Sequence, residues 1–330
     1  MRIGLAIPQY GFSRPSGSIT FAETAVWGQR AEELGFDSVW LSDHFFYSFA
    51  RYGAGHEPIE AMEPLTTMAG LAAITHRVRL GVIVLCAPFR HPALVAKAAS
   101  TIDQISGGRV EVGLGAGWLD QEFEAFGYRF GSVGERFAAL EDAVGITSGL
   151  FAGEDPLSHD GSVWSLHDGR LTPPPVQEPI PLWVGGKGGP RLLRAAARSA
   201  SGWNTVWRVA PDAHRAAIED VRAACDDVGR DPRTFARSIG LYGIVGRTEE
   251  GARATFERAR GSFPGDAMRD ETWESWRADT LSGSIEQVRE RADRFTALGV
   301  SELVVSPWTL PFTVMEPEQV DLFAEALLER

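Results

Sequence analysis

Short apolar runs alternate with longer amphipathic ones along the 330-residue chain, and that alternation predicts successive strand–helix pairs. Ile3 to Ile7 reads as a buried strand. Phe21 to Leu34 reads as a helix, with Thr20 and Glu23 at capping-box spacing and Gly35 just past its end. Ser38 to Leu41 is a second strand, Leu65 to Ile74 a helix, and Leu80 to Leu85 a third strand. Leu94, Val95, Ala98, Ile102 and Ile105 mark one face of the next helix, which Gly107 and Gly108 stop. Val110 to Leu114 is strand four, followed by a helix from Arg136 to Leu150. Leu182 to Val184 is strand five, with a helix through Ser199. Trp203 to Val206 is strand six, with a helix from Ala213 to Val228. Phe235 to Val245 holds strand seven, a helix begins near Glu249, and Ser284 with Gln287 opens another at capping-box spacing. Glu302 to Val305 is strand eight and Gln319 to Leu328 the last helix. Eight such pairs without a linker predict an α/β fold, a single (β/α)8 TIM barrel over residues 1–330 with insertions near 151–181 and 262–283. A doubly wound open sheet is the alternative. The first insertion, with prolines at 173 to 175, is too long for an ordinary connection and is expected to pass over the barrel mouth.

Charge and cysteine content narrow the partners. With 44 acidic against 32 basic residues the net charge is −12, which disfavours nucleic acid and anionic membranes and leaves a small-molecule substrate. Cys86 and Cys225 offer neither metal-ligand spacing nor a disulfide framework, so no metal is expected and a reducing compartment fits. The start MRIGLAIPQYG has no secretory pattern and no apolar run approaches spanning length, so the chain is expected to be cytoplasmic. Its only lysines are Lys97 and Lys187.

In a parallel barrel, chemistry sits where the strands release the chain at their carboxyl ends. Strand two runs out into Asp43-His44, a carboxylate beside an imidazole that can give or take a proton near neutral pH, or else a turn cap beside a packed ring. Strand three passes through Ile83 and Val84 to Cys86 and is apolar throughout, as a strand buried on both faces should be. Arg90 and His91 beyond it could face a ligand or solvent. Strand four leads into Gly113, Gly115, Gly117 and Trp118, where absent side chains would let something flat approach the backbone and the indole would form a wall. No helix follows at once, so a dinucleotide fingerprint is rejected. Glu111 alternates out of phase with its valine neighbours; buried in the barrel it would need a partner. Strand five ends Gly185-Gly186-Lys187-Gly188-Gly189 and a helix starts immediately, an arrangement that suits a phosphate, the alternative being a flexible turn.

These residues, with Trp40 to Phe45, Phe89 to Pro92, Ser106 to Arg109, Glu122-Phe123, Phe126-Gly127, Pro181 to Gly186 and Gly202 to Asn204, resemble the luciferase-like monooxygenase superfamily. Asp43-His44 is similar to the branch that uses the deazaflavin coenzyme F420. The resemblance implies a flavin-type ring over the barrel's carboxyl face, near Asp43, Cys86, Gly115 and Gly117, with its phosphate at Gly185 to Gly189. It implies a non-proline cis peptide at Ile83-Val84, within one residue, and a homodimer. It implies hydride transfer between coenzyme F420 and a small organic substrate, with His44 as the proton-handling group, Asp43 as its orienter or a ring contact, and Trp118 as a pocket wall. Cys86 stands where several members carry a hydroxyl residue. The insertions, with Trp164, Trp273 and Trp276, are expected to shape a partly aromatic substrate pocket. An FMN-dependent monooxygenase using reduced flavin and oxygen is the alternative. A flavin-binding protein without activity and a glycoside hydrolase are further readings; the latter needs two opposed carboxylates, and only Asp43 stands clearly at a strand end.

Overall fold

A computed structural model describes residues 1–13 and 17–329. Its barrel strands are β1 (Arg2–Ala6), β2 (Ser38–Leu41), β3 (Arg79–Cys86), β4 (Val110–Gly115), β5 (Leu182–Gly185), β6 (Gly202–Trp207), β7 (Ala236–Tyr242) and β8 (Glu302–Ser306). They close into a barrel in sequence order, so the eight carboxyl ends open on one face. The helices are α1 (Phe21–Leu34), α2 (Pro64–Ile74), α3 (Pro92–Ser106), α4 (Asp120–Ala125), α5 (Val133–Phe151), α6 (Pro190–Ser199), α7 (Pro211–Asp227), α8 (Glu249–Gly261), α9 (Trp273–Asp279), α10 (Ile285–Ala297) and α11 (Pro317–Leu327). Capping boxes at Thr20/Glu23 and Ser284/Gln287 form as the spacing predicts, and Ser132/Glu135 adds a third at α5.

The chain divides into two compact units. One comprises Met1–Met62, Thr205–Ala217 and Arg237–Arg330, the other Glu63–Asn204 and Ile218–Ala236. Each buries one strand glutamate among equivalent partners. In the first unit, Glu302 accepts from Arg2 Nη2 at 2.5 Å, Ser38 Oγ at 2.5 Å and Trp40 Nε1 at 3.1 Å. In the second, Glu111 accepts from Arg79 Nε and, at 2.7 Å, from Trp183 Nε1. The partner that the β4 alternation demands for Glu111 is therefore an arginine on β3 with an indole on β5. Such a fully buried carboxylate persists only when it is paired and hydrogen-bonded.

Arg109, which closes the Ser106-to-Arg109 segment, is buried and ties down the end of α2. Its guanidinium donates to the carbonyls of Ala72 (3.1 Å), Thr75 (2.8 Å), Val78 (2.7 Å) and Ser106 (2.8 Å) and to Thr75 Oγ1 (2.9 Å). Carbonyls at a helix carboxyl terminus lack intrahelical partners, so one cation there satisfies several at once.

Three expectations change. On α3 the buried stripe is Val95, Ala96, Ala99, Ile102 and Asp103, whereas Leu94 and Ile105 are 60% and 49% exposed. Apolar spacing allowed the wrong two residues because small Ala96 and Ala99 occupy the fully buried positions and Asp103 is buried for a polar reason. Asp103 accepts from the amides of Val176 and Gln177 at 2.8 and 2.9 Å and from Gln177 Nε2 at 2.8 Å.

Those bonds belong to the second correction. The 151–181 insertion runs along α3 and α5 rather than over the barrel mouth. A hairpin of Leu157–Asp160 and Ser165–Gly169 is pinned to α5 by Asp142, which accepts from the amides of Val163 (2.7 Å) and Trp164 (3.1 Å). The proline-rich return follows α3: Ser100 Oγ and Gln104 Nε2 donate to the carbonyls of Pro173 and Pro174 at 3.0 and 2.7 Å. Trp164 packs edge-on to His91 at 5.3 Å. Third, the stretch between the second strand and the Leu65–Ile74 helix, where the sequence pattern predicts no strand, holds a small antiparallel pair, Phe46–Tyr47 with Ile59–Glu60.

Candidate functional site

In the first unit, Asp43 and His44 leave β2 held by a residue that the sequence reading passes over. Gln9 is fully buried just past β1. Its Oε1 accepts from the Ser42 amide at 2.6 Å and its Nε2 donates to the Ser42 carbonyl at 2.7 Å. Gln9 also bonds through its own carbonyl to the Met62 amide at 3.0 Å. A side-chain amide gripping both backbone groups of the preceding residue fixes the peptide from which Asp43 and His44 project. The Ser42 hydroxyl is hydrogen-bonded to the Tyr10 phenol. The signal available beforehand was position alone, a glutamine at a strand's carboxyl end.

Around His44 the walls are aromatic. Its ring lies 6.1 Å from Tyr10 and 5.5 Å from Tyr47, edge-on to the latter. Burial, followed by the neighbouring phenols of Tyr52, Tyr242 and Tyr10, holds the Tyr47 hydroxyl well above the usual tyrosine range. It stays protonated at neutral pH and serves as a neutral hydrogen-bonding group.

At the end of β6, Val206-Trp207 is a non-proline cis peptide with no sequence signal in its favour. The Trp207 ring lies over Gly240, where a Cβ would come within 3.0 Å of Trp207 Cζ3 and 2.6 Å of Val206 Cγ1. Trp207 stacks on Tyr242 at 5.4 Å and 20°, and Tyr242 on Trp276 at 5.8 Å and 17°. Arg208 closes the slab 5.3 Å from the Trp276 ring, donating to Asp279 Oδ1 (2.8 Å), Glu271 Oε2 (2.7 Å) and the Ser275 carbonyl (3.2 Å). Of the tryptophans expected to shape a pocket, Trp276 is a buried backing for Tyr242, Trp273 is core packing against Phe256, and Trp164 belongs to the hairpin on α5.

In the second unit, Ile83-Val84 is cis, as the resemblance implies, and the β3–β4 register shifts between Val82 and Leu85. The glycines beside it have a different use from the one read in the sequence. A Cβ on Gly115 would stand 2.4 Å from Val84 Cγ2, and one on Gly185 2.4 Å from Val84 Cγ1. One on Gly113 would stand 3.0 Å from Val84 Cγ1 and 2.5 Å from the Val82 carbonyl oxygen. A Cβ on Gly117 would meet Cys86 Sγ at 2.6 Å and Phe123 at 3.0 Å. The room left by these glycines is therefore filled by Val84, Cys86 and Phe123. Trp118 follows as a 37% exposed ring. Arg90 pairs with Glu63 at 2.9 Å, and His91 caps α3 by accepting from the Ala93 amide at 3.2 Å, so the segment after β3 is tied into the scaffold.

The turn after β5 is built differently. Gly186, Gly188 and Gly189 have φ of 157°, 94° and 104°, a run of left-handed backbone that β-carbons would disfavour. The Gly186 amide donates to the Asn204 carbonyl at 3.0 Å and the Trp203 indole to the Gly186 carbonyl at 2.9 Å, which stitch the turn to β6. Gly189 is the N-cap of α6, no side chain caps the helix, and a Cβ there would meet nothing within 4 Å. Lys187 beside it is exposed. Uncapped amides at a glycine-led helix start suit a phosphate.

Among the described residues there is no cluster of three or more metal-ligating side chains, and no helix is long and apolar enough to cross a membrane.

The luciferase-like monooxygenase family profile matches residues 1–302. The F420-dependent glucose-6-phosphate dehydrogenase of Kineococcus radiotolerans is 34% identical over 194 residues, covering 58% of this chain and 55% of that protein. The phthiodiolone/phenolphthiodiolone dimycocerosates ketoreductase of Mycobacterium tuberculosis is 31% identical over 257 residues, covering 74% of this chain and 66% of that protein. The matches thus span only about half to two thirds of the curated relatives' length. Among solved structures, an F420-dependent secondary alcohol dehydrogenase in complex with an F420-acetone adduct superposes with a TM-score of 0.80 at 21% identity, covering 99% of this chain and 98% of that one.

Proposed function

Because the chain belongs to the luciferase-like monooxygenase family, we propose that it is an oxidoreductase that binds coenzyme F420 and exchanges a hydride between it and a small alcohol or carbonyl compound. The observation that carries this reading is the Gly185-to-Gly189 turn, left-handed at three glycines and leading into a helix without a side-chain cap. A phosphate-bearing cofactor fits there: the amides of the first turn of α6 would hold the phosphate and Lys187 would add charge. Relatives named as F420-dependent by sequence and by structure support the choice of cofactor.

When bound, F420 supplies two-electron hydride chemistry. Val84, seated in the glycine notch of β4 and β5, offers an apolar surface to the ring. His44 holds or moves the proton at the substrate oxygen, and Asp43 orients it. Gln9 fixes the backbone from which both project, and the surrounding rings keep water away from the proton exchange.

Replacing His44 by Ala is expected to lower turnover by about 10²- to 10⁴-fold while F420 affinity changes by no more than about threefold. Unchanged turnover in the variant would remove His44 from the chemistry.

A further inference from the structure

A free cation beside the Trp207 and Tyr242 rings would let an anionic group be held there. Arg208 follows Trp207 directly, yet its guanidinium is committed to Glu271 and Asp279 and to the Ser275 carbonyl, and it lies over Trp276. Two carboxylates therefore share the one guanidinium of Arg208, which has no spare positive charge to offer. The neighbouring phenols add none and stay neutral, since burial holds the hydroxyls of Tyr47 and Tyr242 above the usual range.

What this corner presents instead is ring surface. Trp207 and Tyr242 are half-buried, stacked on one another, and placed by the absence of a side chain at Gly240. Phe312 meets Trp207 edge-on at 5.2 Å and stands 6.3 Å from Tyr10, which in turn neighbours His44. Phe312 has a φ of 51°, a conformation costly for any side chain bearing a Cβ. The loop enforces it: Ser306 Oγ accepts from the Phe312 amide at 3.1 Å and donates to the Leu310 carbonyl at 3.1 Å. The loop thus holds the buried Phe312 ring edge-on against Trp207 and fixes the indole from behind.

We propose that the substrate handled beside His44 is an uncharged compound bearing a flat apolar or aromatic group, that this group docks against Trp207, and that sugar phosphates are excluded. This deepens the F420-oxidoreductase reading and rests on it. The aromatic face supplies contact area and edge-to-face partners for a planar group. Among the described residues the cation beside Trp207 is Arg208, and an anion placed there would compete with the two carboxylates that already hold it.

The test is a calorimetric titration of the F420-loaded protein with 1-phenylethanol and with glucose 6-phosphate, repeated on Trp207→Leu and Trp207→Phe. We expect 1-phenylethanol to bind at least about tenfold more tightly than glucose 6-phosphate, Trp207→Leu to weaken it about tenfold, and Trp207→Phe to retain most of the affinity. The inference is overturned if 1-phenylethanol does not bind, if glucose 6-phosphate binds as well or better, or if Trp207→Leu changes nothing. Loss of F420 binding in the wild-type protein would instead defeat the cofactor reading. The two ligands can then be compared without cofactor, and their order still decides the question about Trp207.

Discussion

Gly185→Ala is the sharpest perturbation of the β3–β5 corner. The added methyl would stand 2.4 Å from Val84 Cγ1, whereas carbon atoms in ordinary contact are about 3.5–4 Å apart, so something must move by about 1 Å. Gly185 and its neighbours on β5 are buried, leaving little slack, and overpacking of this kind costs about 1–3 kcal/mol. Val84→Ala alone removes two half-buried methyl groups and should cost about 1 kcal/mol. Together the changes should be less damaging than their sum, because the Val84 methyl that the new β-carbon would strike is gone; a coupling of about 1–2 kcal/mol is expected. Gly115→Ala, with its 2.4 Å approach to Val84 Cγ2, should be rescued likewise. Gly113→Ala should not, since its methyl would also strike the Val82 carbonyl oxygen at 2.5 Å, which no side-chain trimming relieves. Urea unfolding followed by tryptophan fluorescence gives the four stabilities of each cycle. Costs that add to within about 0.5 kcal/mol for Gly185 and Val84 would refute the notch argument, as would rescue of Gly113→Ala by Val84→Ala.

Two further outcomes follow from burial elsewhere. His214 is buried, and that burial, with Arg237 nearby as the lesser cause, pushes its imidazole down to about 4 from 6.5. The unfolded chain therefore binds the extra proton between those values, so this residue's share of stability is complete above about pH 6.5 and falls by about 3 kcal/mol as the pH drops to 4. In His214→Leu that part of the acid sensitivity should vanish from unfolding curves taken at neutral and acidic pH, and an unchanged dependence would contradict the assignment. Arg109→Met should cost about 3 kcal/mol, because the carbonyls of Ala72, Thr75, Val78 and Ser106 lose their shared cationic donor; a melting temperature equal to that of the wild type would show the network to be dispensable.

Much of the scaffold is local and was therefore legible. Capping pairs such as Thr20 with Glu23, the helix-stopping Gly107 and the apolar cores of the eight strands depend on neighbours a few residues away. The placement of Asp43, His44, Gly115 and Gly185 at or just past strand carboxyl ends follows from the same periodicities once the barrel is assumed. What escaped was set by partners distant in the chain. Gly115 and Gly185 read as openings for a ligand, but Val84, on another strand, fills the room above them. Leu94 and Ile105 fit an apolar helical face as well as Ala96 and Ala99 do, and only the packing against the neighbouring layer chooses between them. The 151–181 insertion gave no sign of its course, because Asp103, Asp142, Ser100 and Gln104, which hold it, look like ordinary polar helix positions. Gln9 and Trp207 are of the same kind: one grips Ser42 across 33 positions of sequence, the other lies over Gly240.

The cofactor assignment is the claim on which the functional reading stands. Titrating the purified protein with F420 and, separately, with FMN while following cofactor fluorescence tests it most directly. The account predicts saturable quenching of F420, weaker or absent binding of FMN, and loss of F420 affinity when Gly189 is replaced by Asp, whose carboxylate would cap α6 and repel a phosphate. Tighter binding of FMN than of F420, or F420 binding that ignores Gly189→Asp, would contradict it.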